Sequence, residues 1–321
     1  RNSRNFWCNV KGIGSWSLTG NAAEALSKKF TEMQDDSEVT AGFMWQKTTR
    51  ESKKYQLRGE ILSFIPVEKN VEVMLVTITN TGRMAQTVTP TAAIPLYGRS
   101  ADNIRDHRHV TSLLHRIETT DIGVLVTPTL SFDERGHQVN HMTYYCVGWS
   151  GNGEKPVDFY PTAEDFVGEG GNFERPYAIV KKAEGVKAGT RIEGLEAVGG
   201  LHFSEVTLEP EEECSYLIFT GITEDIQEIR NLSKTYTTRE MVLEELEKTK
   251  AYWQEKVNVA YHTGDSDFNQ FMHWVSFQPI LRRIYGCSFL PHHDYGKGGR
   301  GWRDLWQDCL ALLIMNPDGV R

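Results

Sequence analysis

The sequence of 321 residues lacks the features that mark several classes of protein. It has no apolar run near the roughly 18 residues of a membrane-spanning helix, and its first residues lack the basic and then apolar profile of a signal peptide. Positive charge is not in excess, because 35 Lys and Arg stand against 43 Asp and Glu, a formal net charge of −8. This acidic balance argues against a nucleic-acid or membrane-surface partner.

Cysteine is scarce, and its spacing matches no metal or redox motif. The five cysteines are scattered, without a CxxC pair, which is typical of reduced thiols in a cytoplasmic protein and argues against structural zinc. GxxxxGK[ST] is absent and no GxGxxG follows a strand-like run, so a nucleotide site is not predicted. The 39% hydrophobic and 24% charged residues are the composition of a globular protein with a sizeable core.

Residues 295–308, YGKGGRGWRDLWQD, combine glycines with cations, tryptophans and carboxylates. Glycine lets the backbone approach a ligand closely. Cations supply hydrogen-bond donors, indole rings supply flat apolar faces, and carboxylates accept hydrogen bonds from hydroxyl groups. This mixture predicts a sugar-binding loop. The residues that carry it are Lys297, Arg300, Trp302, Arg303, Asp304, Trp306 and Asp308.

A structural interpretation of the same loop stays open. Asp304 stands where a helix N-cap is expected, and Gln307 follows three residues later, as in a capping box, before the apolar run CLALLIM. Capping alone would explain both residues. It does not require the flanking arginines and tryptophans, however, and these favour the ligand-binding interpretation.

Three further groups of residues have both a functional and a structural interpretation. His292 and His293 beside Asp294 are candidate metal ligands, but neighbouring side chains in an extended chain point in opposite directions, which argues against a shared ion. Residues 160–171 are predicted to be a loop that either borders a pocket or forms an ordinary surface turn. Trp274 is either a core residue or a sugar platform.

The chain changes character near residue 230. Up to that point, short β-like runs alternate with turn residues and hardly any helical period is present, which predicts a large antiparallel β-sandwich that closes near Gly221. The predicted strands cover residues 71–79, 122–132, 141–149 and 214–220, and residues 201–213 are predicted to form one strand and a turn into the next strand.

The last ninety residues or so have helical periods instead. An amphipathic helix is predicted over residues 237–257, a second helix begins at Asp265 or Ser266 and ends near Gly286, and a third begins at Asp304. Arg282 and Arg283, near the end of the second helix, either complement its dipole or reach the pocket. We therefore predict a β-sandwich domain over residues 1–230, a helical linker over 231–262 and the start of a helical catalytic domain over 263–321. We expect the sequence to be an excerpt from a longer protein.

This order of sandwich, linker helix, WxxxQ helix with Trp274 and Gln278, and GRGWRDLWQD loop resembles the glycoside hydrolase family 94 phosphorylases. That family includes cellobiose, chitobiose and 1,2-β-oligoglucan phosphorylases. The resemblance covers the whole chain in layout, and its sharp motif is the loop, with Trp302 in place of the usual phenylalanine. It implies an antiparallel supersandwich, a linker helix and the first helices of an (α/α)6 barrel.

The resemblance also implies roles for the loop residues. Arg303 and Asp304 match the arginine and aspartate that hold the donor sugar, and Gln307 and Asp308 match the supporting pair that follows. Trp302 is expected to contact the same sugar.

The phosphate-binding residues depart from the family pattern. Arg300 lies closer to Asp304 in sequence than the matching arginine of cellobiose phosphorylases, and Lys297 is expected to fill part of its role. This departure favours the 1,2-β-oligoglucan branch. The family's general acid, an aspartate in a WND-like motif, has no counterpart in this chain and is expected downstream of Arg321.

The activity that the resemblance implies is inverting phosphorolysis of a β-glucan oligosaccharide to α-glucose 1-phosphate. Inorganic phosphate is a co-substrate, no cofactor or metal is expected, and one catalytic carboxylate suffices because phosphate replaces the activated water of an inverting hydrolase. A homodimer in the cytoplasm is the expected setting. Two alternatives stay open: an inverting hydrolase with an (α/α)6 barrel, and a non-catalytic carbohydrate-binding module.

The two interpretations of Asp304 predict different outcomes for Asp304→Asn in the full-length protein. If the carboxylate holds the donor sugar, turnover should fall far more than stability, because asparagine keeps the shape of the side chain and loses its charge. Steady-state rates and thermal unfolding measured on the same preparation separate the two effects. Equal losses of rate and stability would support a capping role instead.

Overall fold

The computed structural model describes residues 4–67, 69–98, 111–133, 136–285, 302–315 and 317–318. The chain divides into two compact units, one made of Arg1–Ala41 with Trp45–Glu245 and the other of Gly42–Met44 with Leu246–Arg321. The predicted domain boundaries after residues 230 and 262 stay predictions. The candidate metal ligands at residues 292–294 and the candidate phosphate ligands Lys297 and Arg300 lie outside the described residues.

Strands dominate the first unit, as the sequence predicts. Their bounds in chain order are β1 Asn5–Val10, β2 Gly14–Ser17, β3 Asp36–Gly42, β4 Trp45–Ser52, β5 Leu57–Phe64, β6 Val71–Asn80, β7 Gln86–Leu96, β8 His115–Thr119, β9 Gly123–Pro128, β10 Leu130–Asp133, β11 Gly136–Val139, β12 Thr143–Ser150, β13 Asp158–Thr162, β14 Arg191–Glu193, β15 Ala197–His202, β16 Val206–Leu208 and β17 Glu213–Thr223.

Most of these strands belong to two antiparallel sheets. The first has six strands in the order β13-β15-β7-β1-β2, with β16 paired to β7. The second has nine strands in the order β14-β8-β9-β12-β17-β6-β5-β4-β3, and β10 and β11 pair separately. Long registers hold the centre of the second sheet, where β17 pairs with β6 on one side and β12 on the other. The predicted antiparallel sandwich is confirmed.

One face of each sheet is buried in a common hydrophobic cluster. Phe6 of β1, Val76 of β6 and Ile218 of β17 are fully buried members of it, and the rings of Phe203 and Tyr216 lie 4.7 Å apart inside it. Complete burial of one large apolar side chain contributes about 1.5–3 kcal/mol. This cluster, which contains residues from both sheets, is therefore the main source of stability in the first unit.

Short helices connect several strands of the first unit. Their bounds are α1 Ala23–Ser27, α2 Ala163–Val167, α3 Tyr177–Lys181 and α4 Ile226–Thr235. Helix α4 is capped by Asp225, the residue before its first turn, whose carboxylate accepts a hydrogen bond from the backbone N of Gln227 at 2.8 Å. The helix contacts β12 and β17. A polar N-cap satisfies a backbone donor that the first turn would leave unpaired.

Residues 201–213 confirm the predicted strand and turn, because β16 is followed by a turn at residues 209–212 that leads into β17. One expectation for the first unit is wrong in detail. Residues 160–171 contain the end of β13 and helix α2, instead of a loop alone. The physical reason for α2 is its cap: the hydroxyl of Thr162 accepts a hydrogen bond from the backbone N of Asp165 at 3.1 Å, and two acidic residues lie in its first turn.

Long helices build the second unit. Helix α5, Arg239–Lys256, contains the division between the units, and it is followed by α6, Ser266–Tyr285, and α7, Trp302–Met315. The first two confirm the predicted helices, and the carboxylate of Asp265 caps α6 by accepting hydrogen bonds from the backbone N of Asp267 and Phe268 at 2.9 and 3.1 Å. No helix in the described ranges is long and apolar enough to cross a membrane.

A small hydrophobic cluster stabilises the second unit. Phe277 and Ile280 of α6 are buried in it with Leu312 of α7 and Val257. Phe43 belongs to the same unit and packs on α6, with its ring 4.5 Å from that of Phe277. The cluster fixes α6 beside α7.

A charged cluster joins α1 to the residues between β4 and β5. The carboxylate of Glu24 accepts hydrogen bonds from Lys28 Nζ at 2.7 Å, Lys54 Nζ at 2.6 Å and Tyr55 Oη at 2.7 Å. Partial burial acts to raise the pKa of Glu24, but the three hydrogen bonds outweigh it and lower the pKa to about 2. The charged form of Glu24 is therefore favoured in the folded protein.

Replacement of Phe6 by alanine should destabilise the first unit by about 3–5 kcal/mol, because it removes a fully buried ring and leaves a cavity. Phe30→Ala is the matched control, since that ring is 89% exposed. Denaturant unfolding of both variants measures the difference. Similar unfolding free energies for the two variants would contradict the assigned core.

The Glu24 cluster should make stability depend on pH in the acid range. A folded-state pKa of about 2 against an ordinary value of 4.5 means that the contribution of Glu24 is fully present above pH 4.5 and is lost as pH falls towards 2. The difference in unfolding free energy between the protein and Glu24→Gln should therefore be constant near neutral pH and shrink below pH 4.5. Urea unfolding over a pH series measures it, and a difference unchanged at pH 2 would contradict the cluster.

Candidate functional site

The predicted sugar-binding residues stand at the beginning of helix α7. Trp302, Arg303, Asp304, Gln307 and Asp308 all fall in its first two turns. Positions four residues apart lie on the same face of a helix, so Arg303 shares a face with Gln307, and Asp304 shares a face with Asp308. The helix therefore places the residues predicted to hold the donor sugar and their predicted supporting pair on adjacent faces of one element.

The first residue of α7 corrects the capping prediction. The helix begins at Trp302 and not at Asp304, so Asp304 is its third residue and does not occupy the N-cap position. A carboxylate in the first turn is still favoured by the helix dipole. A helix that already runs through Asp304 has no N-cap there, so the pair Asp304 and Gln307 is not the predicted capping box.

The next turn of α7 presents polar and aromatic groups to solvent. Gln307 is exposed and the indole of Trp306 is 59% exposed, whereas Leu312 and Met315 are buried. The buried residues hold the helix against α6 and Val257. Because the later residues of α7 anchor it in the hydrophobic cluster of the second unit, the exposed groups nearer its start can contact a ligand without disturbing that cluster.

Trp274 on α6 has features of both interpretations that the sequence leaves open. Its ring stacks on Phe43, with ring centroids 6.4 Å apart, and it lies 5.6 Å from the ring of Phe277. Its side chain is nevertheless 46% exposed. One side of the indole thus belongs to the packing of the second unit, and the remainder is available to a ligand.

The positions of the two arginines at the end of α6 are compatible with a structural role. Arg282 and Arg283 lie in the last turn, where cations complement the helix dipole. The guanidinium of Arg283 also donates a hydrogen bond to the backbone oxygen of Asp318 at 2.5 Å. That either side chain reaches into the predicted sugar-binding pocket stays a prediction.

A concave surface that the sequence did not predict lies in the first unit. It is a cleft of about 920 Å³. Four separated stretches line it: residues 150–155, 203–208, 212–216 and 237–240. Because each stretch contains only ordinary loop and strand-end residues, no local motif in the sequence marks the cleft. Within the described ranges, no group of three or more histidine, cysteine or acidic residues is placed to hold a metal ion.

A curated relative matches about half of this chain. The 3-O-beta-D-glucopyranosyl-beta-D-glucuronide phosphorylase of Paenibacillus borealis is 27% identical over 170 residues, which are 51% of this chain and 20% of that protein. The chain therefore spans about a fifth of the length of that curated relative.

The solved structures that partly resemble this one are more distant in sequence. A bacterial glucoamylase in complex with acarbose has a TM-score of 0.46 and 10% identity, and the match covers 89% of this chain and 35% of that one. A family GH92 alpha-mannosidase from Bacteroides thetaiotaomicron has a TM-score of 0.42 and 10% identity, with 86% and 31% covered. Similarities at this level do not establish a shared fold.

The family assignment comes from a match at the level of a whole domain. Residues 15–239 match the sequence model of the supersandwich domain of glycosyl hydrolase 94. This range contains β3 to β17 and helices α1 to α4, so the match covers nearly all of the two-sheet sandwich. The chain therefore belongs to glycosyl hydrolase family 94, as its resemblance implied, and contains the supersandwich domain of that family.

Proposed function

We propose that this chain is the sandwich and first helical part of a glycoside phosphorylase that converts a β-glucan oligosaccharide and inorganic phosphate into α-glucose 1-phosphate and a shortened glucan. The observation that carries the proposal is the order of two features along one chain. A family 94 supersandwich domain over residues 15–239 is followed by the loop GRGWRDLWQD at residues 299–308. The Paenibacillus relative, itself named a phosphorylase, supports the same class of activity.

The proposed reaction inverts the configuration at the anomeric carbon. An oxygen of phosphate forms a bond to this carbon while the glycosidic bond breaks, and a carboxylic acid donates its proton to the leaving sugar oxygen. Phosphate is already a nucleophilic anion, so no second carboxylate is needed to activate it. The general acid is assigned to a part of the protein outside this chain.

The loop residues have separate tasks in this reaction. Arg300 and Lys297 bind phosphate, because a planar guanidinium matches two phosphate oxygens and an ammonium adds a point charge. Arg303 and Asp304 hold the hydroxyl groups of the donor sugar, and Trp302 offers a flat face to its ring.

The position of α7 supports binding of an anion beside these residues. The helix has fourteen residues and begins at Trp302, two positions after Arg300. Backbone N–H groups at the beginning of a helix are unpaired and the dipole is positive there, so phosphate is favoured at this point of the chain. Gln307 and Asp308, one turn further along, are proposed to support the sugar-binding pair.

The apolar surface of α6 and α7 supports an (α/α)6 barrel as the fold of the helical part. Phe271 of α6 is 61% exposed, and Leu310 and Ile314 of α7 are exposed as well. Exposed apolar patches of this kind mark interaction surfaces. We assign them to contacts with further helices of the same barrel.

The linkage of the substrate is a finer part of the proposal. The spacing of Arg300 and Asp304 favours a 1,2-β-oligoglucan, because in this respect the loop resembles the oligoglucan branch of the family. A 1,3-β-linked glucosyl glucuronide is the second candidate, since the Paenibacillus relative is named for a 3-O-glucosyl glucuronide. Both are β-glucosides, and the same active-site chemistry serves either.

The setting of the enzyme completes the proposal. Inorganic phosphate is the co-substrate, with no cofactor, and the protein functions as a homodimer without a nucleic-acid or membrane partner. Cys8, Cys146, Cys214 and Cys309 are free thiols in the part of the chain that is described. Free thiols support a reducing compartment such as the cytoplasm.

The direct test is product release by the full-length protein from 1,2-β-, 1,3-β- and 1,4-β-linked glucans and from the glucosyl glucuronide, with and without phosphate. We expect glucose 1-phosphate to appear only with phosphate, and most rapidly from the 1,2-β-linked glucan. Free glucose in the absence of phosphate would assign the protein to the inverting hydrolases. Binding of glucan without any product would assign it to the carbohydrate-binding modules.

Substitution of Arg300 tests the proposed phosphate contact in the same assay. Arg300→Ala removes a charged hydrogen bond worth about 1.5–3 kcal/mol, so the phosphate concentration for half-maximal rate should rise about tenfold to a hundredfold. The KM for glucan should change little. Arg230→Ala is the matched control, because Arg230 is an exposed arginine of α4. An unchanged phosphate requirement in Arg300→Ala would remove that residue from the site.

A further inference from the structure

The cleft of the first unit lies among the ends of strands and not within the packed core. Its walls are the turn after β12, the connection from β15 to β16, the start of β17 and the first residues of α5. Its volume of about 920 Å³ falls in the range of small-molecule sites. Strand β17 is paired on both sides, so one wall is rigid.

The charges of the cleft disfavour an anionic ligand. Five glutamates line it, against Lys155 and Arg239. Both cations are already paired, Lys155 with Asp121 at 2.5 Å and Arg239 with Glu213. Phosphate and other anions would therefore meet a surplus of negative charge. A metal ion is also disfavoured, since the described carboxylates form no group able to hold one.

Several polar groups of the cleft have unused hydrogen-bonding capacity. The carboxylate of Glu154 and the hydroxyls of Ser204 and Ser215 form no hydrogen bond with another described residue. The Nε–H of Arg239 is buried without an acceptor in the same described part. Together these groups offer both donors and acceptors, which is what a ligand rich in hydroxyl groups requires.

The floor of the cleft is apolar and rigid. The rings of Phe203 and Tyr216 line it, lie 4.7 Å apart and are almost fully buried. Both belong to the hydrophobic cluster that contains residues of the two sheets. Because Phe203 and Tyr216 are only 2% and 3% exposed, a ligand in the cleft contacts mainly the polar rim above them, which suits a molecule rich in hydroxyl groups such as a sugar.

We propose that this cleft is a carbohydrate-binding site of the supersandwich and takes a neutral β-linked gluco-oligosaccharide. The choice of glucan rests on the proposed function, whereas the preference for a neutral polyhydroxyl ligand rests on the cleft alone. Glu154, Ser204 and Ser215 hydrogen-bond the sugar hydroxyls. The site holds substrate chains on the protein without taking part in bond cleavage.

Calorimetric titration of the full-length protein with a β-linked gluco-hexasaccharide, in the absence of phosphate, tests the site. Ser204→Arg places a long side chain in the cleft from an exposed position, so the number of sugar molecules bound per chain should fall by one. Glu154→Ala should weaken binding at the cleft about tenfold through loss of a charged acceptor. Glu169→Ala, an exposed glutamate outside the cleft, should bind like the unaltered protein.

Product assays on the same preparations separate this inference from the proposed function. If the protein releases no glucose 1-phosphate but Ser204→Arg still loses one bound sugar, the cleft stands and the phosphorylase assignment fails. If glucose 1-phosphate is released and both cleft variants bind sugar with unchanged number and affinity, the cleft inference alone is overturned. Absence of hexasaccharide binding to the unaltered protein at millimolar concentration would also overturn it.

Discussion

Burial of one face of each sheet in a single hydrophobic cluster is the constraint on which the first unit depends. Two antiparallel sheets cannot keep their apolar faces in water, and Phe6, Val76 and Ile218 lie fully buried in that cluster. The cluster fixes the sheets and thereby the ends of their strands. The walls of the cleft are built from these ends, so its shape follows from sheet packing and not from a local motif.

The same packing fixes the path by which the chain leaves the sandwich. After β17 and α4, the ring of Tyr236 stacks on Phe219 at 5.3 Å, and its backbone oxygen accepts a hydrogen bond from Trp149 Nε1 at 2.9 Å. Lys69 Nζ lies 4.6 Å from the centre of the same ring. These contacts, all within the first unit, hold Tyr236, three residues before the start of α5. The helix that leads towards the loop therefore starts from a fixed point of the sandwich.

Strong periodic patterns made much of the fold predictable from the sequence. The run of β-branched residues in β6 and the Asp265 cap of α6 each act locally, and local signals are visible in a single sequence. Strand β7 was not among the predicted strands, because Pro90 and Pro95 interrupt its pattern. It forms nevertheless, since β15 and β1 flank it and the backbone oxygen of Pro90 accepts a hydrogen bond from Phe203 N at 3.0 Å.

The candidate sites differ in how far a sequence can reveal them. The residues predicted to bind sugar are contiguous, so composition and spacing mark them together, although their helix begins at Trp302 and not at Asp304 as predicted. The cleft assembles Glu154, Ser204, Ser215 and Arg239 from distant parts of the chain. Such a set becomes visible only after the strands are paired, because tertiary contacts and not sequence neighbours bring its members together.

The stereochemistry of the first product tests the central claim most directly. Proton NMR of the full-length protein acting on a β-glucan in phosphate buffer follows the anomeric proton as the sugar phosphate forms. Inverting phosphorolysis predicts that α-glucose 1-phosphate appears from the first time points, because phosphate attacks the face opposite to the leaving group. Initial formation of β-glucose 1-phosphate, or of free glucose alone, would contradict the account.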